Sequence, residues 1–192
     1  MKYAALFVRD DSGYKERACD AYDIGRDALS YSGNLPVVAH PPCRAWGMLS
    51  HMANPREGEK ELAFFAINKV RECGGIIEHP RGSRLFGNYL PDVGEFPDEF
   101  GGYTIEIDQF DFGHVAHKPT KLYICGVPRG KLPALPERRH GETYRDICGN
   151  TYYTLRGERH LRTRSTTKQR EYTPEKLIDW FEDVLEIVNS YQ

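Results

Sequence analysis

The sequence lacks any long apolar run, so it offers no candidate for a bilayer-spanning helix, which needs about 20 apolar residues. A short apolar stretch near the N-terminus ends at Arg9 and Asp10, which is not typical of a secretory signal peptide. The five cysteines include no Cys-x-x-Cys pair, and their number is odd. Scattered thiols of this kind are typical of a reducing compartment rather than of a disulfide framework. We therefore expect a cytoplasmic protein with no membrane partner.

The length and the composition predict a folded protein. The chain has 192 residues, of which 40% are hydrophobic and 12% aromatic. Disordered chains are poor in aromatic residues, and a chain of this length usually forms one domain. Within a single domain we expect an α/β catalytic-type core over 1–127, a basic loop region over 128–172, and a C-terminal helix over 173–192 that packs on the core.

Positive charge is concentrated in one part of the chain, although the net charge is only −2. Residues 129–170 contain 11 Lys and Arg against 4 Asp and Glu. Clustered Lys and Arg release counterions when they bind phosphates, which favours a nucleotide or nucleic-acid partner. The alternative is a solvated polar loop, since most charge runs stay solvated. The segment shows no sustained periodicity, and loops of such length are usually functional or disordered.

The first half of the chain has the pattern of a parallel βαβ unit. Short apolar runs predict three buried strands and one weaker strand: 3–8, 35–39, 75–78 and, weaker, 19–24. A helix is predicted between the second and third runs, with Asn54 as N-cap, Pro55 at the first helical position and Gly74 as the stop. The order strand, helix, strand predicts a right-handed crossover between parallel neighbours.

The second half predicts an antiparallel hairpin and a closing helix. Residues 103–110 alternate in polarity, and 120–125 form a second apolar run ten residues later. Thr173 and Pro174 precede an apolar stripe at helical spacing. The fold class expected is α/β, a Rossmann-like, mostly parallel sheet with an antiparallel hairpin and a C-terminal helix.

Two polar motifs follow the predicted neighbouring strands. His40-Pro41-Pro42-Cys43-Arg44 comes after the run 35–39, and Glu78-His79-Pro80 ends the run 75–78. Ligands of open α/β sheets bind outside the carboxyl ends of the strands. Because the two prolines stiffen the turn, we expect the Cys43 thiol to be presented beside Glu78. A thiol and a carboxyl group together suggest nucleophilic attack by sulfur, with Glu78 as the acid that protonates the attacked group.

Each of these residues also has a structural interpretation. Cys43 could be an inert buried thiol, and Glu78 could pair with Arg44 or Arg81. His40, Cys43 and His79 have zinc-ligand chemistry, which would fit a hydrolase or deaminase, but no second cysteine pair completes a tetrahedral set. We therefore predict no metal site.

The Pro-Pro-Cys motif and the Glu-His-Pro motif, with a helix between them, resemble the catalytic core of DNA cytosine-5 methyltransferases. The stretch Gln109-Phe110-Asp111-Phe112-Gly113, followed by Lys118-Pro119-Thr120-Lys121, resembles a later strand and basic motif of the same family. The resemblance covers about residues 36–126. It implies that Cys43 attacks C6 of cytosine and that Glu78 holds N3. The target-recognition domain of that family has no counterpart here.

The resemblance also implies a cofactor and a substrate class. S-adenosylmethionine would be the cofactor, with Asp20 or Asp23 as the acid that binds its ribose, although the loop 9–14 has one glycine and no Gly-x-Gly. The base would be flipped out, or come from a single strand or a free nucleotide. Short chains of this kind suggest phage or prophage genomes, and hence a bacterial host cytoplasm. Six residues are then expected to bind the substrate: His40, Pro42, Arg44, His79, Lys118 and Thr120.

A second hypothesis belongs to a different class of protein. The chain would be a non-catalytic module that kept the fold and sequesters nucleotide or DNA. The glycine-poor loop 9–14 favours this alternative, whereas the pair of Cys43 and Glu78 favours an enzyme.

Overall fold

The fold is built on a six-stranded sheet with the strand order β2-β1-β3-β4-β6-β5. The computed structural model describes residues 2–48, 50–139, 151–153, 159–161 and 165–191. The first four strands in this order are parallel, and β6 is antiparallel to both of its neighbours. The strands are β1 Ala4–Leu6, β2 Asp20–Tyr22, β3 Val37–Ala39, β4 Gly75–Pro80, β5 Tyr103–Asp108 and β6 Pro119–Cys125. A separate antiparallel pair consists of β7 Thr151–Tyr153 and β8 Arg159–Leu161.

The sheet is covered on both faces by helices. In the part of the chain that the structure describes, the α-helices are α1 Glu59–Cys73, α2 Thr167–Glu171 and α3 Glu175–Tyr191. Val38 and Ile76 lie in one apolar cluster with α3, whereas Val37 and Ile77 lie in a second cluster with α1. Successive residues of a strand point to opposite faces, so strands covered on both sides must be apolar throughout. This explains why the strands appear in the sequence as unbroken apolar runs.

The architecture confirms the predicted fold class. The sheet is mixed and mostly parallel, the strands of the predicted hairpin pair antiparallel as β5 and β6, and the closing helix packs on the sheet as α3. The weaker strand candidate 19–24 becomes β2, at the sheet edge beside β1. Within the described ranges, no helix combines the length and the apolar character needed to cross a membrane.

The predicted start of the first helix was wrong. Asn54 is not its N-cap: α1 begins at Glu59, after Gly58 in a left-handed conformation. Glu59 is buried, and its carboxylate accepts a bidentate bond from Arg44 and the backbone N–H of Arg56. The helix dipole favours a negative charge near the N-terminus of a helix. The helix therefore begins at the residue whose carboxylate is held in this position.

The basic region contains short elements rather than one uniform loop. They are a 3₁₀ turn at Arg129–Lys131, the β7–β8 pair and α2. The expectation that 129–170 is a mobile polyanion-binding segment falls largely on 140–150, 154–158 and 162–164, which lie outside the described residues. That expectation stays a prediction.

The start of β4 gives a stability prediction. Gly75 has a φ of 138°, and a Cβ there would overlap the backbone carbonyl of Val37 on β3. We expect Gly75→Ala to lower the free energy of unfolding by about 3 kcal/mol, measured by urea denaturation, because neither backbone can move without breaking the β3–β4 ladder. The control is Gly130→Ala, where a Cβ meets open space. Equal stabilities of the two variants would contradict this packing.

Candidate functional site

The two polar motifs meet at the carboxyl ends of β3 and β4. The strands are parallel neighbours with Ala39 opposite Ile77, so His40 and Glu78 are the next residues along each strand. Nδ1 of His40 lies 2.9 Å from Oε2 of Glu78. The predicted adjacency of these motifs is therefore confirmed, although the side chain that contacts Glu78 is His40 rather than an arginine.

A chain of buried hydrogen bonds surrounds Glu78, which is only 8% exposed. On one side, Nε2 of His40 lies 3.0 Å from the hydroxyl of Tyr14. On the other side, Nε2 of Gln109 donates to Oε1 of Glu78 over 2.8 Å and to Oγ1 of Thr120 over 3.1 Å. The loops after β1, β3 and β5 and the strand β6 each contribute one side chain to this network.

Sequence reasoning did not identify Tyr14 or Gln109 as site residues. Tyr14 lies in the 3₁₀ turn after β1, and its side chain is 1% exposed. Gln109 follows β5 directly and is fully buried. A polar residue directly after a predicted strand was the available signal, and Gln109 stands in that position after β5. No such signal existed for Tyr14, since nothing in the sequence brings its turn over the end of β3.

Glu78 is held as a carboxylate. Burial alone would raise its pKa, but the charge of Lys118 and the hydrogen bond from His40 outweigh burial and lower the pKa to about 2. The group is therefore ionised at neutral pH and accepts hydrogen bonds. The acid role expected for Glu78 would require it to gain a proton from a neighbour or from the substrate first.

The two arginines proposed as partners of Glu78 are bound elsewhere. Arg44 forms a bidentate pair with Glu59, and Arg81 pairs with Glu106 over 3.4 Å. Arg44 is exposed, so its guanidinium contacts Glu59 on one side and solvent on the other. This pairing leaves Lys118 as the cation that acts on Glu78.

Cys43 lies on the loop after β3 and is exposed. Desolvation by the surrounding protein raises the pKa of its thiol above the ordinary 9.0, and the charge of Glu78 raises it further. Lys118 opposes this shift but does not reverse it. The free site therefore does not lower the pKa of this thiol. In the absence of a ligand, the thiol form dominates at neutral pH.

The remaining predicted substrate-binding residues differ in accessibility. Lys118 and Pro42 are half-buried, and Lys118 forms no ion pair with another described residue. Thr120 is buried, and its hydroxyl donates to the carbonyl of Lys118 over 2.9 Å. His79 is 0% exposed, and neither ring nitrogen has a hydrogen-bond partner of good geometry within the described part of the chain. Only Pro42 and Lys118 of these four can reach a ligand without rearrangement.

The residues expected to hold S-adenosylmethionine do not fit that role. Asp20 pairs with Arg26, and Asp23 pairs with Lys15 and accepts the backbone N–H groups of residues 25 and 26. A Cβ on Gly13, the one glycine of the first loop, would collide with Glu175 of α3. The loop therefore packs against α3 at this glycine.

One groove lies beside this network rather than in it. Its volume is about 600 Å³, and its lining includes Asp108, His117, Pro119, Leu135 and Arg138 but neither Cys43 nor Glu78. Among the side chains that the structure describes, no group of three His, Cys, Asp or Glu is placed to hold a metal ion.

No protein-family model matches the chain, and no curated protein matches it either. The resemblance to cytosine-5 methyltransferases therefore depends on the motifs alone.

The burial of His79 predicts a pH dependence of stability. Burial lowers its pKa from 6.5 to about 4, so the unfolded chain binds a proton that the folded chain excludes between these values. The contribution of this group to the free energy of unfolding is fully present above pH 6.5. As the pH falls toward 4, about 3 kcal/mol of it is lost. Urea unfolding of His79→Gln should show a smaller loss over this range.

The control for this experiment is the exposed His51. His51→Gln should keep the wild-type pH dependence. Glu78 adds its own loss of stability only as the pH falls below its ordinary pKa of 4.5, so the slopes are compared from pH 6.5 to about pH 5. An unchanged slope in His79→Gln would show that the buried ring is not the group that titrates.

The charge of Glu78 also gives a reactivity prediction for Cys43. Because that charge raises the pKa of the thiol, Glu78→Gln should speed alkylation of Cys43 at about pH 8 by at least about twofold. Mass spectrometry after iodoacetamide treatment measures the rate for each thiol. Glu106→Gln, which removes a carboxylate paired with Arg81, is the matched control and should leave the rate unchanged. A slower reaction in Glu78→Gln would contradict this electrostatic coupling.

Proposed function

We propose that the protein binds a pyrimidine base, in a nucleotide or a single strand, and that Cys43 adds reversibly to its C6. The observation that carries this proposal is the register of β3 and β4, which brings the loop with Cys43 beside the carboxylate of Glu78. The charge of Glu78 acts on the thiol and raises its pKa, which supports a shared site for the two groups. A small protein gains access to a base only when the base is unstacked.

The addition needs no co-reactant. As the thiol proton leaves to solvent, a bond forms between sulfur and C6, and the electron pair of the C5–C6 double bond moves to C5. C5 then takes a proton from solvent. The reverse reaction removes one of the two hydrogens on C5 and expels the thiolate, which restores the base. The net result is exchange of the C5 hydrogen and a C5 position activated for modification.

The neighbouring side chains have defined roles in this proposal. Glu78 accepts a hydrogen bond from the base, and His40 and Gln109 hold the carboxylate in place. Lys118, half-buried and without an ion pair among the described residues, is placed to contact a phosphate or a carbonyl of the ligand. Arg44 contributes to the shape of the loop through Glu59 rather than to the ligand.

The test is exchange of the C5 hydrogen in heavy water. We expect uridine or cytidine nucleotides, or a short single strand, to incorporate deuterium at C5 with the wild-type protein, detected by mass spectrometry. Cys43→Ser should reduce the rate at least 100-fold, on the order of the loss when a nucleophile is removed, because a hydroxyl is a far weaker nucleophile at neutral pH.

Cys73→Ser is the control, since it removes a buried thiol at the end of α1 and should leave exchange unchanged. Binding of the nucleotide without any exchange would refute the addition step. It would favour the second candidate, a binding module that sequesters nucleotide or nucleic acid. The raised pKa of the Cys43 thiol is the observation in favour of that candidate.

A further inference from the structure

Both oxygens of Glu78 are already occupied by N–H donors. Oε1 accepts from Gln109 at 2.8 Å, and Oε2 faces Nδ1 of His40 at 2.9 Å. The amide orientation of Gln109 is fixed, because the hydroxyl of Thr120 donates to the carbonyl of Lys118 and can only accept from Gln109. The N–H end of the amide must therefore face Glu78.

This arrangement fixes which hydrogen bonds Glu78 can form with a ligand. A carboxylate that receives one donor on each oxygen is stabilised in its ionised form, and its remaining lone pairs can only accept. The nearby charge of Lys118 acts in the same direction, and the low pKa of Glu78 agrees with this. At neutral pH Glu78 therefore carries no proton that it could donate to a base.

In a pyrimidine, N3 lies directly across the ring from C6. Cys43 attacks C6 from a face of the ring, so a base that lies under the thiol can direct its N3 edge toward the end of β4. The hydrogen bond that the base forms with Glu78 in the proposed function then involves N3. Uracil and thymine carry a hydrogen on N3, whereas N3 of neutral cytosine carries a lone pair.

We propose that the base bound at this site is of the uracil type, with an N–H at position 3, and not neutral cytosine. This inference rests on the proposed function, which places a pyrimidine between Cys43 and Glu78. Cytosine can offer only its exocyclic amino group to the carboxylate, and its N3 lone pair then lies against an oxygen that cannot donate. Uracil has no such repulsion at N3. Its C6 is the β-carbon of a conjugated carbonyl group, so the thiol can add there without protonation of N3.

Titration calorimetry with deoxyuridine and deoxycytidine monophosphates tests this preference, together with the same two bases at one position of a short single strand. We expect the uracil ligand to bind roughly 10- to 100-fold more tightly, the usual discrimination from one matched base contact. Repeating the titration in buffers of different ionisation enthalpy reports proton uptake. The uracil ligand should take up none, whereas any cytosine binding should be accompanied by a proton.

Glu78→Gln supplies a second measurement. An amide can turn its N–H toward N3 of cytosine, so this variant should shift the preference toward cytosine by at least about tenfold. Glu106→Gln, on the neighbouring strand β5, should keep the wild-type preference.

The outcomes separate this inference from the proposed function. Cytosine binding as tightly as uracil, or no binding of either ligand, would overturn the base preference. Preferential binding of uracil without exchange of the C5 hydrogen would support the preference and would refute the addition by Cys43. A variant Glu78→Gln that binds both ligands with wild-type preference would show that Glu78 does not face N3, and would also overturn the inference.

Discussion

The buried carboxylate of Glu78 is the constraint on which the rest of the site depends. A charge removed from water is costly unless donors replace its hydration, and the sheet supplies them at one edge. His40 comes from the end of β3, Gln109 from the end of β5 and Lys118 from the segment before β6. The need to neutralise one carboxylate therefore brings together loops that are distant in sequence. The antiparallel pairing of β6 with β4 places Thr120 in the same network.

A second set of charges determines the shape of the N-terminal part of the site. Arg17, just after the first 3₁₀ turn, pairs with Glu175, Asp179 and Glu182 of α3. These contacts hold the turn against the helix and place Tyr14 over His40. The same packing brings Gly13, the one glycine of the loop after β1, against Glu175 of α3.

The sequence allowed prediction of the sheet and of the two motifs, because both depend on local patterns. Apolar runs with a helix between them are enough to make β3 and β4 parallel neighbours. The start of α1 depends on Glu59 and Arg44, a pair 15 residues apart, and so it could not be predicted from Asn54 and Pro55. Likewise, the partner of Glu78 depends on the alternating direction of side chains where β3 and β4 end, which turns His40 toward Glu78. Arg44 pairs with Glu59 instead. Local propensity carries no information about such long-range pairing of side chains.

The electrostatics of Glu78 and Cys43 are two aspects of one arrangement. The same carboxylate that is kept ionised raises the pKa of the thiol, so the free site holds a strong acceptor beside a weak nucleophile. A ligand that donates to Glu78 spreads part of its negative charge. On the proposed function, ligand binding therefore weakens one of the two effects that raise the pKa of the Cys43 thiol, whereas burial of the thiol by the ligand acts in the opposite direction. In the empty site the thiol is in its protonated form, which is the less readily oxidised one.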